Sequence, residues 1–206
     1  MKVLHSTSTF LEMIKFEHSV FALPFAMIGM MWGSVDSGGN GWPGWSVFGW
    51  ILLAMVSCRS AAMAYNRLAD RDIDAKNPRT NSRAIPAGKL SVLQVNFFLA
   101  LSLGLFVWAA ASLGELPLKL SPIALLLTLG YSRTKRFTPL CHLVLGLSLG
   151  VAPGAAYLAT TGVISPSVVA LLVAVTGWTA GFDIIYSLQD EEFDRSEGLR
   201  SLPETL

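Results

Sequence analysis

Charge is scarce in this chain. Only 14% of its 206 residues are Asp, Glu, Lys or Arg, against about a quarter in an average soluble domain. Cysteine is scarcer still. Cys58 and Cys141 stand singly in apolar stretches. They make no CxxC pair and imply neither a disulfide framework nor a zinc site; packing is their expected role. The three histidines, His5, His18 and His142, are scattered without metal-ligand spacing, and no chemistry is assigned to them. No basic run is interleaved with aromatics, which removes nucleic acid from the partners. The first apolar stretch lacks a small-residue cleavage pattern, so it reads as a retained helix and not a signal peptide.

Apolar residues are what the chain has in abundance, at 52% of the total, with a mean hydropathy of +0.53. The expected fold is therefore all-α: a polytopic transmembrane helical bundle forming one domain, residues 1–206. Six spans are predicted: 19–35, Trp45–Tyr65, Val92–Leu113, Leu118–Ser132, Pro139–Thr161 and Pro166–Leu188. Gly146, Gly150 and Gly154 in the fifth allow close helix packing. Of the fifteen Lys and Arg, all but Arg59 and Lys119 fall in the N-terminal segment, the loops after spans 2 and 4, and the C-terminal segment. The excess of positive charge makes those four segments cytoplasmic. Arg59 lies inside span 2, where an ionisable side chain is expected to face a polar cavity or a partner.

Span 2 runs into Asn66, Asp70 and Asp74, each four residues after the last. A continuous helix from Trp45 to Asp74 is about 45 Å long, against a hydrocarbon core of about 30 Å, so its last turns leave the membrane. Three oxygen-bearing side chains near one helix face suit a hard cation. Mg²⁺ takes one or two carboxylates, keeps waters and fills its remaining positions with substrate phosphate. Span 6 closes on Asp183, Tyr186, Asp190 and Asp194, and topology puts this second acidic stretch on the same membrane face. Facing each other unpaired, the two would repel; divalent cations bridged by a diphosphate relieve that repulsion. Lys135 and Arg136, beside Tyr131 and Arg133, supply anion partners. Arg67 and Arg71 interleave with the first triad and can meet a diphosphate or the carboxylate of a second substrate.

The pattern Asn66-x-x-x-Asp70-x-x-x-Asp74, followed by Asp190-x-x-x-Asp194 after Asp183-x-x-Tyr186, resembles the UbiA superfamily of intramembrane aromatic prenyltransferases. Asn77-Pro78-Arg79-Thr80, Arg83-Ala84-Ile85-Pro86-Ala87-Gly88 and Tyr131-x-x-x-Lys135-Arg136 resemble its loops. The resemblance implies a helical bundle around a central cavity, in a bacterial inner (plasma) membrane and among membrane lipid, with the acidic motifs on the cytoplasmic face. It implies Mg²⁺-dependent transfer from a polyprenyl diphosphate to an aromatic acid acceptor. Asp70, Asp74, Asp183, Asp190 and Asp194 would carry the catalysis. Asn66, Asp70 and Asp74 would bind one metal, and Asp190 and Asp194 the other. Arg67, Lys135 and Arg136 would hold the diphosphate. Arg71 would meet the acceptor's carboxylate, Asp183 would lie near the reacting ring or the diphosphate, and Tyr186 would line the cavity. The acceptor is expected to be of the 4-hydroxybenzoate type, in ubiquinone biosynthesis, or 1,4-dihydroxy-6-naphthoate, in menaquinone biosynthesis. The family has about nine spans, so a C-terminal truncation is expected. A non-enzymatic ion-binding transporter is the competing class, but it would place carboxylates near the bilayer midplane at broken helices. A CDP-alcohol phosphatidyltransferase would show Asp-Gly-x-x-Ala-Arg, which is missing around 66–74.

Overall fold

A computed structural model describes residues 9–15, 17–163 and 165–205. All regular elements among the described residues are helical. A short turn of helix, α1 (residues 9–13), precedes α2 (Glu17–Asp36). Then come α3 (Trp45–Ala69), the short α4 (Arg71–Lys76), α5 (Val92–Leu113), α6 (Glu115–Thr134), α7 (Cys141–Thr161) and α8 (Pro166–Ser187). A 3₁₀ turn (Leu188–Asp190), α9 (Glu191–Ser196) and α10 (Leu202–Thr205) complete the chain.

Local sequence explains where these helices start and stop. Ser91 opens α5 with a capping box. Its hydroxyl accepts the Gln94 N–H at 3.2 Å, and Gln94 Oε1 accepts the Ser91 N–H at 2.8 Å, so two otherwise orphaned donors are satisfied. Ser165 caps α8 in the same way, accepting the Val168 N–H at 3.3 Å, with Pro166 placed where a missing N–H costs nothing. Gly162 ends α7 at φ 71°, a left-handed position that suits glycine. Gly114, at φ 132°, is the single residue between α5 and α6.

Short connections make the six long helices alternate in direction. Loops 77–91 and 135–140 and the segment after Ser187 share one end. There Lys76 Nζ lies 2.6 Å from Glu197 Oε2, and the Arg200 N–H donates to the Lys135 carbonyl at 2.7 Å. At the opposite end the Tyr157 hydroxyl donates to Asp36 at 2.7 Å. Trp42, Trp45 and Phe48 cluster there, as an interfacial aromatic belt would.

α7 packs against α2, α6 and α8, while α3 packs against α5 and α6. Glycine permits the closest of these approaches. A Cβ on Gly29 would stand 2.0 Å from the Pro153 carbonyl oxygen, and one on Gly146 would stand 2.4 Å from that of Thr176. Leu93 (79%), Leu126 (73%) and Trp178 (69%) are largely exposed on the outside, a surface that hydrocarbon suits and water does not. α3, α5, α7 and the helix beginning at Pro166 are each long and apolar enough to cross a membrane.

Two expectations need adjustment. α6 covers Glu115–Thr134 and not only Leu118–Ser132, because it restarts immediately after Gly114; the Lys119–Glu115 pair, 2.6 Å apart, lies on its first turns. The helix from Trp45 does not run unbroken to Asp74. Asp70 takes φ −98°, ψ 5°, in the sparsely populated bridge region. The hydrogen-bond ladder survives across it, with the Asp70 N–H on Asn66 O at 2.9 Å and the Asp74 N–H on Asp70 O at 2.7 Å. The four-residue spacing therefore persists through the break.

The packing makes a direct prediction. Gly146→Ala forces α7 off α8 and destabilises the bundle by about 1–3 kcal/mol, whereas Gly104→Ala, with nothing within 4 Å of the added carbon, does not. Thermal unfolding of the two variants in the same detergent checks this.

Candidate functional site

Asp70 sits at the junction of α3 and α4 and is 2% exposed. A carboxylate this deep must be compensated. Lys135 Nζ lies 2.9 Å from its Oδ2, and Arg136 Nη2 lies 3.3 Å from its Oδ1. Arg136 Nη2 also donates to the Ala69 carbonyl. Asn66 Nδ2 donates to Asp70 Oδ2 at 3.2 Å, while Asn66 Oδ1 accepts from Arg67 Nη1 at 3.3 Å. Arg67 is itself buried and reaches the Met13 carbonyl at 3.4 Å. One turn on, Asp74 is also buried. Arg83 Nη1 bridges both of its oxygens, at 2.7 and 2.8 Å, and the Thr80 hydroxyl donates to its main-chain carbonyl at 3.1 Å.

The second acidic stretch is met by the loop that follows the first. Arg79 forks onto Asp190, Nε donating to Oδ1 at 2.8 Å and Nη2 to Oδ2, which is the strong planar form of this pair. Asn77 Nδ2 adds a bond to Asp190 Oδ1 at 3.2 Å. Arg79 Nη1 donates to the Tyr186 hydroxyl at 3.3 Å, and the guanidinium lies over the Tyr186 ring. The hydrogen bond to Asp190 is the chief reason that the Arg79 guanidinium is held above its ordinary pKa, outweighing a smaller opposing effect of burial. Asp194 stands in the field of Lys135 and Asp190.

The fold thus gathers Asn66, Arg67, Asp70, Asp74, Lys135, Arg136, Tyr186, Asp190 and Asp194 at one end of the bundle. Asp183 lies just inside them, 2.7 Å from His142 Nδ1. Arg71 points elsewhere: its side chain is 48% exposed and pairs with the neighbouring Asp72 at 3.3 Å. His5 lies outside the described residues. Asn77, Arg79, Arg83 and His142 were not singled out as site residues in the sequence. For the first three the available signal was their place in the loop that joins the first acidic triad to α5. A lone histidine gives no such signal.

Two cavities adjoin this cluster. One, of about 270 Å³, is lined by Lys15, Arg67, Arg79, Arg83 and Lys89, together with Glu12 and Tyr186, and suits a polyanion. The other, of about 390 Å³, lies within the bundle. Its walls are apolar, and among the described residues Arg59 is the one charged residue there. Arg59 Nε is buried without a hydrogen-bond partner among the described residues. Tyr131, also on this wall, stands one turn of α6 before Lys135, whose Nζ meets Asp70, which brings the apolar cavity towards the acidic cluster.

Among the described residues no three His, Cys, Asp or Glu side chains converge as a ready metal cage. The donor set is nevertheless all hard oxygen, and it fits Mg²⁺, which takes one or two carboxylates and completes its shell with water and phosphate.

Arg79→Met or Asp190→Asn should lower stability by on the order of 1–2 kcal/mol, a charged fork discounted for partial exposure. Arg71→Met should leave it unchanged. Unfolding curves of the three variants at neutral pH, with divalent ions chelated, test this.

Residues 22–206 match the UbiA prenyltransferase family. The chain is 31% identical over 162 residues to the 4-hydroxybenzoate octaprenyltransferase of Aliivibrio salmonicida, covering 79% of this chain and 57% of that protein. It therefore spans little more than half of that relative's length. It is similar to the apo structure of a UbiA homolog from Aeropyrum pernix K1, with 37% identity, a TM-score of 0.83, and coverage of 92% of this chain and 70% of that one. A UbiA homolog from Archaeoglobus fulgidus, solved bound to GPP and Mg²⁺, shares the fold at 22% identity and a TM-score of 0.74, over 96% of this chain and 70% of the other.

Proposed function

The chain belongs to the UbiA prenyltransferase family, and from that premise we propose that it transfers a polyprenyl group from a polyprenyl diphosphate to a hydroxylated aromatic carboxylate of the 4-hydroxybenzoate type, in quinone biosynthesis. The supporting observation is the presence together of three environments: a basic chamber, a band of carboxylates, and an apolar cavity with Arg59 in its wall. The reading places the carboxylate band and the basic chamber on the cytoplasmic face of a bacterial plasma membrane, as the charge asymmetry of the loops suggests.

Each environment supplies a part of the reaction. Asn66, Asp70 and Asp74 on one side, and Asp190 and Asp194 on the other, are the oxygen donors that would hold Mg²⁺. When bound, the metal supplies positive charge to the departing pyrophosphate. Lys135, Arg136 and Arg67 are assigned to the diphosphate, as the sequence suggested, joined by Arg79 and Arg83 from the chamber wall. They stabilise the charge that grows as the C1–O bond breaks and its electron pair leaves with the pyrophosphate. The apolar cavity keeps water from the allylic cation. The ring carbon ortho to the acceptor's hydroxyl then bonds to C1, and the ring proton passes to the Asp183 carboxylate. Arg71 was the expectation for the acceptor's carboxylate. Its exposure and its pairing with Asp72 move that role to Arg59, whose unpartnered Nε lies in the cavity wall.

Membranes containing the protein, supplied with Mg²⁺, a labelled polyprenyl diphosphate and either 4-hydroxybenzoate or 1,4-dihydroxy-6-naphthoate, should yield one prenylated acid identifiable by mass. Asp70→Asn and Asp190→Asn should abolish that product; full activity in either sinks the two-motif reading. Arg59→Met should raise the KM for the aromatic acid by about 10- to 100-fold, the worth of one charged hydrogen-bonded contact, and leave the KM for the diphosphate unchanged. A phenol lacking the carboxylate should not distinguish that variant from the wild type.

A further inference from the structure

His142 is 3% exposed at the start of α7, and both of its ring nitrogens are engaged. The Leu202 N–H donates to Nε2 at 3.3 Å. That contact favours the ring whose one proton is on Nδ1, while the Asp183 carboxylate favours the imidazolium. Nδ1 lies 2.7 Å from Asp183 Oδ2, and in either form it is the donor there. The imidazole is in turn pinned by a compact strap. Leu199 and Ser201 are buried, the Arg200 N–H bonds the Lys135 carbonyl at 2.7 Å, and the Cys141 thiol approaches the Arg200 carbonyl at 3.5 Å. The Asp183 side chain is 28% exposed. His142 is its one hydrogen-bond partner among the described residues, which leaves Oδ1 free.

We propose that His142 is a positioning residue. It holds Asp183 Oδ2, and thereby presents Oδ1 to the aromatic acceptor as the oxygen that receives the ring proton. The strap at 199–202 holds the imidazole in place, with the Leu202 N–H against Nε2. A chain element just past the second acidic stretch thus sets the orientation of a carboxylate in α8 through a side chain in α7. This rests on the prenyl-transfer reading for the role of Asp183, but the hydrogen bond does not.

The test uses the whole chain in lipid nanodiscs and has two arms. In the first, ¹⁵N spectra of histidine-labelled protein are assigned by difference with His142→Asn. They should show an Nδ1 that carries a proton, with the Nδ1 resonance displaced in Asp183→Asn. A ring protonated only at Nε2, with a bare Nδ1, overturns the proposal whatever the enzymology. In the second, His142→Leu should lower kcat by about 10- to 100-fold, the cost of a misaligned reacting group, with the KM for the diphosphate unchanged. His142→Asn, whose amide nitrogen stands near the place of Nδ1, should keep most of the activity. His142→Leu at wild-type kcat, or His142→Asn as slow as His142→Leu, overturns it. A wild type that makes no prenylated acid sinks the proposed function, and the spectra still decide whether His142 holds Asp183.

Discussion

Carboxylates crowded at one end of an apolar bundle repel one another unless positive charge lies among them. Here Lys135 and Arg136 meet Asp70, Arg83 meets Asp74, and Arg79 meets Asp190. Only the Arg83–Asp74 pair is near in sequence, nine residues apart. Lys135 and Arg136 follow α6, Arg79 and Arg83 follow α4, and Asp190 follows α8. Compensating the acids therefore requires three loops that are distant in the chain to lie against each other. Lys76 with Glu197, and Arg200 with the Lys135 carbonyl, tighten the same junction. The helices below are free to pack by shape, with glycine where backbones meet, because their polar ends are already locked.

Such long-range compensation also marks how much the sequence could tell. The places of the long helices, α6 apart, followed from hydropathy, and the four-residue spacing of Asn66, Asp70 and Asp74 survived even the break at Asp70. That two acidic stretches share one end followed from counting spans. Which cation pairs with which acid did not, since a side-chain partner on a distant loop, as Arg79 is to Asp190, leaves no local trace. Arg71 illustrates the point. It follows Asp70 directly, yet a one-residue step on a helix turns a side chain by about 100°, and Arg71 ends on the outside with Asp72. Arg79 stood in a loop resemblance with no partner assigned, and it grips Asp190. His142 carried no spacing signal at all, because its partners, Asp183 and Leu202, lie on other elements.

The gradient from charge to hydrocarbon gives the proposed chemistry its order. A diphosphate needs a charged, hydrated chamber, and an allylic cation needs a dry one. Here they adjoin, with Tyr131 and Arg59 at the boundary. A cavity walled by Ala22, Ala26, Ala54, Ala62 and Ala124 is roomy because its side chains are short. A transporter would need its carboxylates near the middle of the bilayer. Here they stand beyond the apolar stretches of α3 and α8, which favours a site that handles a head group at the surface and a tail within.

The same ion pairs argue that metal and diphosphate enter together on the proposed reading. Asp70, Asp74, Asp190 and Asp194 carry four negative charges, and Lys135, Arg136, Arg83 and Arg79 carry four positive ones. Two divalent cations would neutralise the acids and release all four basic side chains, and a diphosphate would neutralise most of those in turn. Either guest alone would leave charges unpaired, most unfavourably at the buried Asp70 and Asp74. Balance is kept only when the acids turn to metal as the bases turn to phosphate. On that reading the pairing that holds the site together would also favour a metal–diphosphate complex over either component.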